Sequence, residues 1–181
     1  MKNGCGLRCL VAWLVAWPLL AAANCVDAQT SLEEVQSLVE ARKSAQEALV
    51  LVRRSAQDFK NLLLRANDPV QAQLLRVRFE KNAKSYESHI DLLQKQFNLR
   101  STDRSTVDVL LSERTVLFES YRQALKVHEI ERAEEARAAD KYVQGVDVKT
   151  LRTLENIIDV LSAQSNAAFQ KLRVAIHRCS G

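Results

Sequence analysis

The sequence predicts an all-α protein, an up-down-up-down four-helix bundle with long antiparallel helices. Three observations predict it. Beyond the first 28 residues, Pro69 and Gly145 are the only internal proline and glycine, the composition of long uninterrupted helices. Apolar residues recur at threes and fours through four segments, so each segment has one apolar face. The joints between segments are short, and short joints make neighbouring helices antiparallel.

The first segment runs from Ser31 to Ala66. Ser31 with Glu34 three residues later forms a capping-box pattern. Leu32, Val35, Leu38, Val39, Ala45, Leu49, Val52, Ala56, Phe59 and Leu63 make its stripe. At 1.5 Å per residue this helix is roughly 50 Å long. It ends in DFKNLLLRANDP, residues 58–69. Pro69 cannot continue a helix, because it lacks an N–H and clashes with the preceding turn. It can begin one, with Asn67 or Asp68 as N-cap. The second segment therefore runs from Pro69 to Asn98, with Leu74, Phe79, Ala83, Tyr86, Ile90, Leu93 and Phe97 on its face.

A polar loop follows at 100–104, and Ser105 with Asp108 can cap the third helix. Val107, Leu110, Leu111, Leu117, Phe118, Tyr121 and Leu125 form its stripe. From His128 to Asp140 the apolar period fails and charges crowd in. That stretch reads either as a solvated helical extension or as a loose crossover. Gly145 breaks the run and Asp147 can cap the fourth helix. Its face is Leu151, Leu154, Ile158, Leu161, Ala168, Leu172 and Ile176.

The N-terminus reads as an export leader, residues 1–28, leaving a single domain at 29–181. Lys2 and Arg8 supply a positive start, and residues 10–23 are apolar apart from Pro18. Val26-Asp27-Ala28 is a small-residue cleavage pattern. The apolar run is shorter than the roughly 20 residues that span a bilayer. A periplasmic location is expected, with an uncleaved N-terminal anchor as the alternative. Asn24 is a poor fit before a lipid-modified Cys25. Removing the leader takes away Lys2, Arg8 and Asp27, leaving 24 basic and 21 acidic residues from the 26 and 22 of the whole chain. The signs are interspersed and no nucleic-acid-binding motif is present, so no nucleic-acid partner is expected. Cys5, Cys9 and Cys25 leave with the leader. Cys179 is then an odd cysteine, expected as a free thiol in a frayed tail or as a link between chains.

Catalytic chemistry has no residues to attach to, and the chain is not expected to be an enzyme. His89, His128 and His177 belong to no HExxH or CxxCH pattern, and no Glu-x-x-His pair supports a di-iron site. No phosphate loop or nucleophile elbow occurs. No cofactor and no metal are expected. One constellation carries charge chemistry. Arg53, Arg54, Lys60 and Arg65 precede the joint, and Arg76, Arg78, Lys81 and Lys84 follow it. Arg54, Asp58, Asn61 and Arg65 share one helix face. With Arg78 they form a candidate ligand site for a small anionic or organic solute, held by arginine forks. The competing reading pairs Asp58 with Arg78 across the hairpin and leaves the rest as hydrated surface.

DFKNLLLRANDP resembles the periplasmic sensor domain of bacterial methyl-accepting chemotaxis proteins. The matching residues are Phe59-Lys60, Leu63-Leu64-Arg65 and Asp68-Pro69. Phe79-Glu80, Tyr121 with Ala124-Leu125, and Asp140 with Val143-Gln144-Gly145-Val146-Asp147 resemble the family's later stretches, in the same order. Ala66 and Gln144 stand where the family has glycine and arginine. The resemblance implies a helical sensing domain in signal transduction, acting by ligand binding and by pairing with a second copy or a membrane receptor. The family's receptors continue into a membrane helix and a cytoplasmic transmitter, whereas this sequence ends at Gly181. A free-standing exported sensor-like bundle is the expectation. The alternatives are a structural or chaperone-like helical protein and a cofactor-carrying bundle.

Overall fold

The computed structural model describes the backbone of residues 6–98 and 104–179, and the side chains of 26–97 and 108–179. All the described elements are helices: α1 (Gly6–Leu64), α2 (Pro69–Asn98), α3 (Arg104–Val127), α4 (Ala133–Tyr142) and α5 (Val146–Cys179). Two compact units divide the chain, one formed by residues 40–161 and the other by residues 1–39 with 162–181.

The α1–α2 joint follows the capping chemistry of its residues. Arg65 N–H donates to the carbonyls of both Asn61 and Leu62, at 3.1 and 3.2 Å, closing the last turn of α1. Asp68 is the N-cap of α2. Its Oδ1 accepts from the N–H groups of Val70 and Gln71, each at 3.1 Å. These are two of the donors that a helix start leaves without an internal partner.

In the 40–161 unit the buried positions of α1 repeat at threes and fours: Ala41, Ala45, Ala48, Val52, Ser55, Phe59 and Leu62. On α2 the series is Ala72, Leu75, Phe79, Ala83, Tyr86, Ile90, Leu93 and Phe97. Such spacing keeps one seam of each helix against its neighbours. An aromatic cluster fills the centre. Phe59 lies 4.9 Å from Tyr121, Phe79 lies 5.6 Å from Phe118, and Tyr86 lies 5.3 Å from Phe118, between ring centroids. Polar pairs surround it. Arg53 meets Glu155 at 2.9 Å and Arg114 meets Asp91. Glu113, almost fully buried, lies 2.8 Å from the Lys149 ammonium, which is off the line of a hydrogen bond, so the contact is an ion pair. The Tyr86 hydroxyl is buried without a partner. Burial first, and then the Glu113 charge, push its pKa up.

Several expectations change. Leu32 and Val39 of the expected first stripe are exposed, and Ser105 and Asp147, expected as caps, lie inside α3 and α5. The first helix does not start at Ser31, which lies inside α1 together with Glu34. Nothing in the residues just before them breaks a helix, and the Thr30 hydroxyl donates to the Val26 carbonyl one turn back, at 3.0 Å. On α2, Leu75 is buried while Leu74 is 59% exposed. On α5, Ile157 takes the buried position expected of Ile158, and Ile176 is exposed. The charged stretch after α3 is neither an extension nor a loose crossover. Residues 128–132 turn, and α4 follows as a separate short helix. Ile130 and Ala139, at 3% and 0% exposure, fix this segment to the core. His128 Nδ1 lies 2.8 Å from Glu135 Oε2 across the turn. Gly145 then closes α4 at φ +80°, a left-handed conformation that suits glycine. The predicted loop at 100–104 loses Arg104 to α3, and its residues 100–103 lie outside the described residues.

The other unit contains the start of α1 and the end of α5, with Leu38, Ser165, Ala168 and Leu172 buried. Among the described residues, no helix is long and apolar enough to cross a membrane. Cys179 is disulfide-bonded, which corrects the expectation of a free thiol.

Candidate functional site

The structure joins two of the five residues proposed from sequence directly. Asp58 and Arg78 pair with each other. Arg78 Nε donates to Asp58 Oδ2 at 2.9 Å, Arg78 Nη2 donates to Oδ1, and Asn82 Nδ2 adds a third donor at 3.1 Å. Asp58 is buried, and its hydrogen bond to Arg78 is the main cause of the rise in the arginine pKa. Asn61 accepts from Gln57 at 3.3 Å, and Arg54 and Arg65 are exposed. None of the five lines the groove formed by residues 73–85 and 122–126.

That groove lies between α2 and α3 and has a volume of about 880 Å³, within the range of about 300–1,000 Å³ common for ligand pockets. Its apolar floor includes Val77, Phe79 and Leu125. Arg76, Lys81 and Lys84 come from α2, and Arg122 and Lys126 from α3. Periodicity explains the placement. Arg76, Glu80 and Lys84 are spaced by four on one face, and Arg122 and Lys126 are spaced by four on the facing helix. Arg76, Lys81 and Lys84 therefore line a groove with α3, whereas Arg78 pairs with Asp58 of α1. The sequence reading grouped the basic residues on either side of the joint, so Arg122 and Lys126, about 40 residues away in sequence, were missed. Their spacing was the available signal.

Arg122 is already occupied. It forks onto Glu80, with Nε to Oε1 at 3.1 Å and Nη2 to Oε2 at 2.8 Å, and also donates to Glu119 at 3.2 Å. The Glu80 hydrogen bond is the largest cause of the raised Arg122 pKa. The same bond is the largest cause holding Glu80 below the usual glutamate range. Arg76, Lys81, Lys84 and Lys126 have no salt-bridge partner among the described residues. The groove therefore presents four cations without a salt-bridge partner beside apolar side chains, and the charge of one of them, Lys84, also helps to lower the Glu80 pKa. Such an arrangement suits an anion.

The Glu80 shift gives a pH dependence. A depressed folded pKa stabilises the protein above the unfolded glutamate pKa of about 4.3, and this contribution is lost as pH falls through the folded value. Thermal melts of the parent and of Glu80→Gln should differ above that pH and converge below it. The difference is small, because both side chains are over a third exposed.

A smaller cavity, about 290 Å³, gathers residues of three separate stretches of the sequence. Lys60 comes from the first, Tyr121 from the second, and Asp140, Gln144, Gly145 and Asp147 from the third. Burial, followed by the charges of Asp147 and Asp140, pushes the Tyr121 pKa up. Arg137 and Lys141 complete a wall bearing both signs of charge. Among the described residues no group of three or more His, Cys, Asp or Glu side chains is placed to hold a metal ion. Comparison with protein-family models, with curated proteins and with solved structures finds no match.

Proposed function

We propose that the chain is an exported, non-catalytic binding module, an up-down-up-down four-helix bundle like the chemoreceptor sensor domain, and that it takes a small organic anion in the α2–α3 groove. The observation that carries this reading is the set of four cations without a salt-bridge partner among the described residues, beside Val77, Phe79 and Leu125. The apolar floor favours a carboxylate with a hydrocarbon or aromatic body, because desolvating it adds to the charge attraction. Signalling follows from differential affinity for two helix packings, the only way a ligand can shift such an equilibrium. The convergence of Lys60, Tyr121 and the 140–147 stretch on one cavity supports the family resemblance. A second copy or a membrane receptor is the proposed partner for the exposed α2 residues Val70 and Leu74, 69% and 59% exposed.

The test is a thermal-shift screen against organic acids, amino acids and aromatic acids. A true ligand stabilises by mass action, about 2.7 kcal/mol at a hundredfold excess over Kd. Lys84→Gln with Lys126→Gln should weaken its binding at least tenfold while leaving the unliganded melting point in place. Arg54→Ala and Arg65→Ala should leave the affinity unchanged. No saturable shift with any anion, or full affinity in the double variant, rejects the groove.

A further inference from the structure

Cys179 at the end of α5 is disulfide-bonded. The chain's other cysteines are Cys5, Cys9 and Cys25, all in the stretch whose side chains are not described. The register of the described residues selects among them. Asp27, Thr30 and Ser31 of α1 line one cleft with Lys171, Val174 and Arg178 of α5. The cleft thus brings the first described side chains of α1 against the last turns of α5, and Cys179 directly follows Arg178. A disulfide needs Cα atoms within about 7 Å. Cys25 is two residues from Asp27 on the same helix. Cys9 lies about 24 Å further along α1, at 1.5 Å per residue. Cys5 precedes the first described turn of that helix.

We propose that Cys179 is joined to Cys25, and that the leader of the exported chain is removed before Cys25, after Ala23. The second clause rests on the export reading above. Ala21-Ala22-Ala23 satisfies the small-residue cleavage pattern as well as residues 26–28 do, and it is the cut that keeps the bond. Two thiols become one disulfide by exchange with a protein disulfide of the oxidising compartment. That oxidant takes up both electrons and both protons, ending as a dithiol. The bond ties the start of α1 to the end of α5 and closes a loop of almost the whole chain. Constraint of the unfolded chain is greatest for long loops.

The experiment expresses the full chain with its leader in a bacterium and recovers it from the periplasm. Intact mass and a non-reducing peptide map should show Asn24 as the first residue, no free thiol, and one cross-linked peptide joining Cys25 to Cys179. Reduction should add two hydrogens. Cys179→Ser should expose one titratable thiol and lower the melting midpoint by about 5–15 °C. An exported chain starting at or after Val26, or one with a free Cys179, overturns the proposal. A chain that keeps its leader and stays in the cytoplasm overturns the export reading instead. The purified chain is then oxidised with glutathione disulfide and mapped. Pairing of Cys179 with Cys5, with Cys9 or with a second chain overturns the assignment, and pairing with Cys25 sustains it.

Discussion

Phe118→Ala should cost about 3–5 kcal/mol of folding stability. Phe118 is 1% exposed. Its ring centroid lies 5.6 Å from Phe79 and 5.3 Å from Tyr86, in edge-on and tilted geometries. Truncation removes the transfer energy of the ring and leaves a cavity that the neighbouring rings cannot fill without leaving their rotamers. Aromatic pairing adds about 0.5–1.5 kcal/mol to the loss. Urea or thermal unfolding measures it, with a midpoint about 10–15 °C lower for a domain of this size. Phe169→Ala is the control, since Phe169 is 55% exposed and surface changes stay within about 0.5 kcal/mol. Equal losses for the two phenylalanines would sink the assignment of the core.

The same contrast shows which features were legible in the sequence. The joint at Asp68-Pro69 was readable because capping is local: a side-chain oxygen, two nearby N–H groups and a proline that can only start a helix. Four of the five described helices came from punctuation and period, and Gly145 marked a real break because the chain turns left-handed there. The facing of α2 was only partly readable. Leu74 and Leu75 are adjacent and equally apolar, and Val77 and Phe79 offer a second choice of stripe. Periodicity cannot choose between neighbouring stripes, and the packing partners decide. The α4 segment was hidden because Ile130 and Ala139 are too few and too small to make a pattern among so many charges. The Asp58–Arg78 pair was visible as a complementary couple across a known hairpin. The groove was half visible. Its α2 cations stood out, but which helix they face is a tertiary fact, and Arg122 and Lys126 have no motif of their own. The link to Cys179 was lost for a different reason: a leader boundary at residue 28 removes Cys5, Cys9 and Cys25, every possible partner within the same chain.

Asp58→Ala should destabilise by about 2–3 kcal/mol, the range for removing charge-assisted hydrogen bonds from a buried acceptor. The carboxylate is 5% exposed and accepts three hydrogen bonds, two from Arg78 and one from Asn82. Its partner is less committed, because the Arg78 side chain is 56% exposed and can recover water when the acid is gone. That asymmetry sets the order of the variants. Arg78→Ala leaves a buried carboxylate with only the Asn82 amide and should cost more, about 3–5 kcal/mol. The double variant should cost less than the sum of the singles, since neither residue is then left facing a missing partner. Asp58→Asn keeps the shape and one acceptor and should fall between the parent and Asp58→Ala. Denaturant melts of the four proteins measure the coupling. An additive cycle would mean that the pair is surface decoration despite its burial. The ligand titrations of the groove supply the other half of the test. If Asp58 and Arg78 are structural, the variants lose stability and keep their affinity for any anion that binds above Val77 and Leu125. A loss of affinity at unchanged stability would return both residues to a binding site.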